Sequence, residues 1–357
     1  MLLQWIYSLR TNQMKRKKLS RDQQPIAIIG AGSWGTALAL LLSKKGYVVR
    51  LWGFDPEHVG TLKKDRENKR YLPGIRFPDT LFPISNLKET VDGSPTICMV
   101  VPSHGFRAVF EKLVDYLGED SVVISATKGV ENETLQTMSQ IMADVVQHSN
   151  RDAAIELAVL SGPSFAKEVA EEVPTAITMG CKNGVLALEL QNIFNTSYFR
   201  VYTSNDIIGL EISASLKNVI AIAAGICDGL DFGMNARAAL ITRGLAEISR
   251  FGIKLGAEPS TFYGLSGMGD LVLTCTGDLS RNRTVGLKLG SGQTLDQILD
   301  EMSMVAEGVK TTRSLYNLAK EKGVEMPILE QVYQILYENK DSRTAVNDLL
   351  KRELKPE

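Results

Sequence analysis

The chain has 357 residues, a length that accommodates two domains, each with its own hydrophobic core. Its 44% of apolar and 23% of charged residues are the proportions of a soluble globular protein. The net charge of −1 provides no overall field to attract nucleic acid or an anionic membrane, so neither is an expected partner, and any bound anion must be held by a local cluster of charges.

The N-terminal segment MLLQWIYSLRTNQMKRKKLSRDQQ is apolar at first and then basic, which is the reverse of a secretory signal. We expect residues 1–24 to form a disordered tail, within which Met14 is an alternative start. Elsewhere the longest apolar run is nine residues, VIAIAAGIC, whereas a membrane-spanning helix needs about 20. The four cysteines are scattered, with the spacing of neither a zinc site nor a disulfide framework. We therefore expect a cytoplasmic protein with no membrane span and no metal site.

Short apolar runs alternate with amphipathic stretches from residue 25 to about residue 200. The runs are PIAIIGAG, YVVRLWGFD, PTICMVVPS, SVVISATKG and AAIELAVLSGPS, a pattern typical of βαβ units around a parallel sheet. Helical periodicity then takes over in 207–227, 235–252, 296–302, 309–322 and 328–352, with GLSGMGDLVLTCTGDLSRNR as an irregular interruption. The sequence thus predicts an α/β protein, with a Rossmann-type doubly wound sheet over 25–204 and a mostly α-helical substrate-binding domain over 205–357.

A glycine-rich turn follows the first predicted strand. Gly30, Gly32 and Gly35 form G-x-G-x-x-G between the strand PIAII and the helix TALALLLSKKG, the setting in which this motif binds the pyrophosphate of a dinucleotide. Asp55, 20 residues after Gly35, ends the second strand and favours NAD by accepting from a ribose hydroxyl. Arg50 lies upstream on that strand, and no arginine stands immediately beside Asp55 to bind the 2′-phosphate of NADP.

Polar residues follow the next strands, at the edge where open α/β sheets bind ligands. Lys128 comes directly after SVVISAT and is either an anchor for an anionic or carbonyl oxygen or an exposed surface lysine. His104 follows TICMVV, where capping a turn or lining the cofactor site suits it better than carrying a proton.

The loop GLSGMGDLVLTCTGDLSRNR offers a second group of polar residues. Asp270 is placed to bind a ligand hydroxyl or to orient an amine. Ser280 is expected to cap a helix whose first turn contains Arg281 and Asn282. Because the helix dipole disfavours a cation there, Arg281 indicates a bound anion such as a phosphate, the alternative being an exposed arginine at an ordinary helix start.

Lys217 lies within the small and apolar stretch SASLKNVIAIAAGICDG. If this helix packs between the domains, desolvation lowers the pKa of the lysine towards the range of a general acid or base. The alternative is a lysine whose stem follows the surface while its ammonium reaches water.

Eight motifs occur in order over roughly residues 25–340: GAGSWGTALA, VPSH, ATKG, SGPSFAKE, KNVIAI, GDLVLTCT, SRNR and AEG. In these motifs the chain closely resembles bacterial NAD(P)-dependent sn-glycerol-3-phosphate dehydrogenase. The resemblance implies reversible hydride transfer between NAD or NADP and C2 of dihydroxyacetone phosphate, giving sn-glycerol 3-phosphate for phospholipid synthesis. Members of this family are commonly dimeric, so the resemblance also implies a homodimer.

The resemblance assigns roles to individual residues. Lys217 matches the proton donor to the C2 oxygen, Lys128 its partner in orienting the substrate, and Asp270 the residue that holds the active lysine. The positions implied for substrate binding are Lys128, Gly162, Ser164, Lys217, Asn218, Asp270, Thr274, Ser280, Arg281 and Asn282. Those implied for cofactor binding are Gly30, Gly32, Ser33, Trp34, Gly35, Phe54, Lys128, Ala166, Arg281, Val305 and Glu307.

Phe54 departs from the pattern of the family. Many bacterial relatives have His or Arg at this position after the LW-x motif, whereas this chain has a phenylalanine. The difference removes a partner for the 2′-phosphate, so the choice between NAD and NADP stays open.

Two other functions fit parts of the sequence. A β-hydroxyacid or hydroxyacyl-CoA dehydrogenase also joins a Rossmann domain to a helical one, but SRNR beside GDLVLTCT fits a phosphoester better than a carboxylate or CoA. A cofactor-sensing binding protein without catalysis has no need of Lys128, Lys217 and Asp270 together.

Overall fold

The structure, a computed structural model, describes residues 24–149, 155–302 and 306–354. The expected tail, residues 1–24, lies outside these ranges except for Gln24, and so does Val305. Among the described residues ten strands form: β1 Ile26–Ile29, β2 Val49–Trp52, β3 Glu67–Asn68, β4 Leu72–Arg76, β5 Leu81–Ile84, β6 Thr96–Met99, β7 Val122–Ser125, β8 Glu156–Ser161, β9 Thr175–Cys181 and β10 Phe199–Ser204.

Eight of these strands make one sheet, in the order β10-β9-β8-β7-β6-β1-β2-β5. Neighbouring strands are parallel except β8 and β9, which are antiparallel. The order reverses between β1 and β6, the point at which doubly wound sheets open a crevice for ligands. Strands β3 and β4 form a separate antiparallel hairpin.

Seven helices pack on the two faces of the sheet: α1 Ser33–Lys44, α2 Pro56–Asp65, α3 Leu87–Val91, α4 Phe106–Val114, α5 Met138–His148, α6 Ala166–Ala170 and α7 Gly184–Phe194. One core contains α1 and α7 residues such as Leu38 and Phe194, and the other contains α4 and α5 residues such as Phe110 and Ile141. The central strands β1, β6 and β7 are buried without alternation because both faces of the sheet are covered there. The predicted doubly wound α/β fold is confirmed.

The remaining described chain is helical: α8 Ile207–Gly229, α9 Gly233–Lys254, a 3₁₀ turn Pro259–Tyr263, a π-helical turn Leu265–Gly269, α10 Asp270–Thr276, α11 Arg281–Gly290, α12 Leu295–Glu301, α13 Glu307–Glu321, α14 Pro327–Tyr337 and α15 Ser342–Leu350. Helix α8 is the centre of this part and is buried along nearly its whole length. By length and composition it is apolar enough to cross a membrane, but 94% of its most apolar window is buried inside the protein, as in a core helix.

Glycines allow α8 and α11 to approach backbone to backbone. A Cβ atom on Gly286 would overlap the carbonyl oxygen of Ile222, and one on Gly225 would overlap that of Arg283. Any side chain at either position would therefore force the helices apart. The close packing fixes the position of α11 relative to α8.

Three features differ from the sequence-based expectations. Strand β9 runs antiparallel to β8, because the intervening helix α6 has only five residues and is too short to carry the chain back along the sheet. The helical stretch expected over 328–352 divides at Asn339, whose φ of 56° an α-helix excludes. The loop expected over GLSGMGDLVLTCTGDLSRNR is largely helical, since it contains α10 and the start of α11.

We predict that Gly286→Ala lowers the free energy of unfolding by about 1–3 kcal/mol, because the added methyl group meets backbone atoms that have no room to move. Gly60→Ala on α2 is the matched control, since its Cβ would meet nothing within 4 Å. There the substitution raises the free energy of unfolding by roughly 0.5–1 kcal/mol, the difference in helix propensity. Thermal or urea unfolding measures both, and equal midpoints would contradict the close packing of α8 on α11.

Candidate active site

A cleft of about 510 Å³ lies between the carboxyl ends of the strands and the helical part. The sheet side contributes the glycine turn, the ends of β2, β6 and β7, and the tip of the β3–β4 hairpin. The helical side contributes α8, α10 and the starts of α11 and α13. The polar and charged residues lining it are Ser33, Asp55, His58, Arg70, Tyr71, Thr127, Lys128, Ser164, Lys217, Asn218, Asp270, Thr274, Ser280, Arg281, Asn282 and Glu307.

The glycine turn has the geometry that a dinucleotide requires. Gly30 has a φ of 129°, which other residues rarely adopt, and a Cβ there would overlap the carbonyl oxygen of Val100. Gly35 packs against the backbone of Gly30, whereas a Cβ on Gly32 would meet nothing within 4 Å. The open space at Gly32 and the N-terminus of the 12-residue α1, which no side chain of the described residues caps, fit a pyrophosphate. Trp34, also in this first turn, has a buried indole N–H with no partner among the described residues.

The end of β2 forms the part of the cleft where the adenosine ribose of a dinucleotide lies. Phe54 is 81% exposed there and lies edge-on to Trp52. Asp55 caps α2 by accepting from the N–H of Glu57 at 3.0 Å. Arg50 faces elsewhere, because its guanidinium donates to the carbonyl oxygens of Glu89 and Asp92 at the end of α3.

Two lysines share one carboxylate at the centre of the cleft. Lys217, from the middle of α8, donates to Oδ1 of Asp270 at 2.7 Å. Lys128, at the carboxyl end of β7, donates to Oδ2 of the same residue at 2.9 Å. Asp270 is 1% exposed and Lys217 5% exposed, so this lysine–aspartate–lysine cluster is largely withdrawn from water. The lysine stem does not follow the surface, which resolves the alternative left open by the sequence.

Each ammonium retains a proton for a ligand. Lys217 also donates to Oγ1 of Thr274 at 2.6 Å, and the Thr274 hydroxyl in turn donates a hydrogen bond to the carbonyl oxygen of Asp270. Lys128 makes a longer second contact, 3.4 Å, to the carbonyl oxygen of Gly162. Since an ammonium has three protons and each lysine uses two within the protein, one N–H of each is left for an oxygen in the cleft.

Burial and neighbouring charges set the pKa of Lys217. Desolvation lowers the pKa of Lys217, the negative charge of Asp270 raises it, and the positive charge of Lys128 lowers it; together they place it at about 8. Desolvation prevails because the ammonium is almost entirely buried. A lysine with a pKa near 8 changes its charge in the pH range where proton transfer is useful.

The N-terminus of α11 is the third element of the cleft. Ser280 caps it by accepting from the N–H of Arg283 at 3.2 Å, as expected from the sequence. The Arg281 guanidinium lines the cleft and makes no hydrogen bond to another described residue. Burial lowers the pKa of Arg281, and the negative charge of Glu307 raises it. Asn282 is buried, and its amide oxygen accepts from the N–H of Gly308 at 2.9 Å, which leaves its NH₂ group as the end available to a ligand.

Most of the substrate-binding and cofactor-binding residues predicted from the sequence line this one cleft. Of the residues assigned above, Gly35 lies beneath the turn rather than in the cleft, and Gly162 contributes its carbonyl oxygen beside Lys128. Ser164 and Ala166 follow β8 and line the cleft, Glu307 begins α13, and Val305 is outside the described residues. His104 is the exposed residue of a 3₁₀ turn and does not line the cleft, so the expected role in lining the cofactor site is wrong.

Among the lining residues that sequence reasoning missed are His58, Arg70 and Tyr71. Burial and the charge of Arg70 lower the pKa of His58, while the charge of Asp55 opposes them. Arg70 and Tyr71 belong to the short β3–β4 hairpin, whose Leu-Pro-Gly strand has no strand pattern that the sequence could reveal. The described residues contain no cluster of three or more His, Cys, Asp or Glu residues suited to a metal ion.

Comparisons with known proteins agree with this geometry. The family model for the NAD-dependent glycerol-3-phosphate dehydrogenase N-terminus matches residues 25–187, and the model for the C-terminus of the same family matches residues 206–347. The glycerol-3-phosphate dehydrogenase (NAD(P)+) of Desulfotalea psychrophila is 60% identical over 332 residues, which cover 93% of this chain and 98% of that protein. The enzyme of the same name from Citrifermentans bemidjiense is 54% identical over 334 residues, covering 94% of this chain and 99% of that protein.

A solved structure gives the same result. The crystal structure of glycerol-3-phosphate dehydrogenase from Coxiella burnetii superposes with a TM-score of 0.89 at 41% identity, covering 93% of this chain and all of that one. The resemblance seen in the motifs is thereby confirmed over nearly the whole described chain. The chain belongs to the NAD-dependent glycerol-3-phosphate dehydrogenase family.

Proposed function

We propose that this protein reversibly reduces dihydroxyacetone phosphate to sn-glycerol 3-phosphate, with NADH or NADPH as hydride donor, and so supplies glycerophospholipid synthesis. The observation that carries the proposal is the Lys217–Asp270–Lys128 cluster lying in one cleft with the glycine turn and Arg281. Family membership and the names of the relatives support it.

The two other functions considered fit the cleft less well. A hydroxyacyl-CoA or β-hydroxyacid dehydrogenase needs a carboxylate or CoA site, whereas the available cation, Arg281, stands at the N-terminus of the 10-residue α11, a setting suited to a compact phosphate. A cofactor-sensing protein has no use for two lysines held on one buried carboxylate, an arrangement that is costly to desolvate.

In our mechanism α11 and its arginine hold the substrate by its phosphate. The Arg281 guanidinium and the free N–H groups of the first turn of α11 would bind the dianion, and the NH₂ group of Asn282 would donate to it. Ser280 uses its oxygen to cap the helix, so only its O–H is available as a donor. Fixing one end of the substrate limits the positions that C2 can take relative to the two lysines.

The lysine–aspartate–lysine cluster acts on the C2 oxygen. A bound nicotinamide supplies or accepts the hydride at C2. In reduction the ammonium of Lys217 transfers to the C2 oxygen the proton that neither Asp270 nor Thr274 accepts. Lys128 donates a hydrogen bond that stabilises the negative charge developing on that oxygen. Asp270 and Thr274 hold Lys217 in place, and Asn218, the next residue on α8, would bind a substrate hydroxyl. Gly162 and Ser164 would border the substrate, while Ser33, Trp34, Phe54, Ala166, Val305 and Glu307 would contact the cofactor.

We also infer that the protein is a cytoplasmic homodimer. An apolar groove of about 940 Å³ on the helical part, bordered by α8, α9, α14 and α15, supports an interface between two copies. Met234, Ile253 and Leu350 add exposed apolar side chains to α9 and α15. A cytoplasmic location is supported by the four cysteines, which are all free and buried, as is usual in a reducing compartment.

We expect the protein to oxidise NADH or NADPH, measured by absorbance at the nicotinamide band, only when dihydroxyacetone phosphate is added. Lys217→Ala lowers turnover by roughly 10²–10⁴-fold, because the proton donor is lost. The Kd of the reduced cofactor, titrated by fluorescence, stays nearly unchanged in this variant. The exposed Lys182→Ala serves as the control and keeps normal turnover. Near-normal activity of Lys217→Ala would reject the assignment.

The rate of reduction should fall as pH rises through about 8, the pKa of Lys217, because only the protonated amine can donate. Oxidation of glycerol 3-phosphate should show the opposite dependence, since it needs the neutral amine. Asp270→Asn removes the charge that raises the pKa and moves the break in the rate profile to lower pH. Lys128→Met removes the charge that lowers it and moves the break to higher pH. If neither variant moves the break in the kcat–pH profile, the titrating group is not Lys217.

Arg281→Ala should raise the KM for dihydroxyacetone phosphate by roughly tenfold or more, as loss of a charge-assisted contact to phosphate requires. Unphosphorylated dihydroxyacetone, which lacks the group that Arg281 binds, should be reduced equally slowly by the variant and the unaltered protein. Steady-state kinetics with both substrates makes the comparison. An equal loss toward both substrates would show that Arg281 is not a phosphate contact.

A further inference from the structure

The tip of the β3–β4 hairpin is fixed to the glycine turn. Asn68 is fully buried, and its side-chain NH₂ donates to the carbonyl oxygen of Ala31 at 3.0 Å and to Oγ1 of Thr36 at 2.8 Å. Its amide oxygen accepts from the N–H of Tyr71 at 3.2 Å. Ser33, in the first turn of α1, donates to the carbonyl oxygen of Tyr71 at 2.7 Å. The hairpin tip therefore has a defined position over the turn that binds the dinucleotide.

Arg70 is held at this tip, at the adenosine end of the cleft. Its guanidinium lies 5.1 Å from the ring centre of Tyr71, which in turn contacts the ring of His58 edge-on at 5.3 Å. Arg70 is exposed and makes no hydrogen bond or salt bridge with another described residue. Its fork of N–H donors is thus free for a ligand, while cation–π contact with Tyr71 restrains the side chain.

No other basic side chain among the described residues competes with Arg70 for this position. Arg50 caps the end of α3, and Lys69, beside Arg70, pairs with Asp65 at 2.9 Å and does not line the cleft. Burial and the charge of Arg70 lower the pKa of His58, which disfavours its charged form. Lys128 follows β7 and pairs with Asp270 at the centre of the cleft, and Arg281 lies at the start of α11.

We propose that Arg70 binds the 2′-phosphate of NADPH and thereby replaces the partner that Phe54 removes from the end of β2. In the same place Asp55 can accept from the 2′-hydroxyl of NADH, so the ribose site has one group for each cofactor. The protein then uses both cofactors, with the balance set by the opposite charges of Arg70 and Asp55. This inference rests on the proposed function to the extent that the cleft binds NAD(P).

Calorimetric titration of the whole chain with nucleotides tests the inference. Arg70→Gln keeps hydrogen-bonding capacity but removes the charge, so the Kd of NADPH and of 2′-AMP rises by roughly tenfold or more. The Kd of NADH and of 5′-AMP changes by less than about twofold, because neither has a 2′-phosphate to meet the arginine. Lys69→Gln is the matched control: it removes the adjacent exposed cation and leaves all four values unchanged.

Two results would overturn the inference: an unchanged Kd for NADPH in Arg70→Gln, or an equal loss of affinity for NADPH and NADH. The second would mean that the variant disturbs the hairpin rather than a phosphate contact. Because the titrations contain no triose phosphate, they are independent of the reaction. If Arg70→Gln selectively weakens NADPH but the protein fails to reduce dihydroxyacetone phosphate, the substrate proposal fails and Arg70 keeps its role.

Discussion

The buried carboxylate of Asp270 is what allows two lysines to lie side by side at the centre of the cleft. Two ammonium groups approach it, one on each oxygen, in a region from which water is largely removed. Without the carboxylate the two cations would repel each other and would have no water to solvate them. Leaving buried charges uncompensated in this way strongly destabilises a folded protein. With it the three groups carry a net charge of +1. That charge suits an oxygen that becomes negative during reduction.

The fold brings these three residues together from distant parts of the chain. Asp270 lies 142 residues after Lys128 and 53 after Lys217. Lys128 is fixed by the end of β7, and Lys217 by a helix whose neighbours cover every side. The glycine contact between α8 and α11 then sets the distance from Lys217 to Arg281, because both helices are rigid and touch through their backbones. A fixed separation between the lysine and the arginine limits the distance between the two groups of a substrate that both residues could hold at once.

Sequence patterns predicted the glycine turn, the central strands and the long helices because each depends on local spacing. The antiparallel β9 and the break at Asn339 depend on connection length and on one backbone angle, which hydrophobic periodicity does not encode. Similarly, the sequence around Lys217 is the same whether its ammonium is buried or reaches water. Only the packing of other elements around α8 makes it buried. Arg70 is distant from Asp55 along the chain, so sequence proximity does not connect the two residues. The buried Asn68, by its hydrogen bond to the glycine turn, brings the hairpin to that place in space.

The cleft shows how a chain with a net charge of −1 can bind two anionic ligands at once. Its cations are few and separate: Arg70 at the adenosine end, the two lysines in the middle and Arg281 at the start of α11. Each has an acid nearby, namely Asp55, Asp270 or Glu307, so the field is strong only within a few ångströms of each cation. Recognition then depends on the positions of charges along the ligands rather than on total charge. A dinucleotide and a small phosphoester place their charges differently, and each finds a different part of the same cleft.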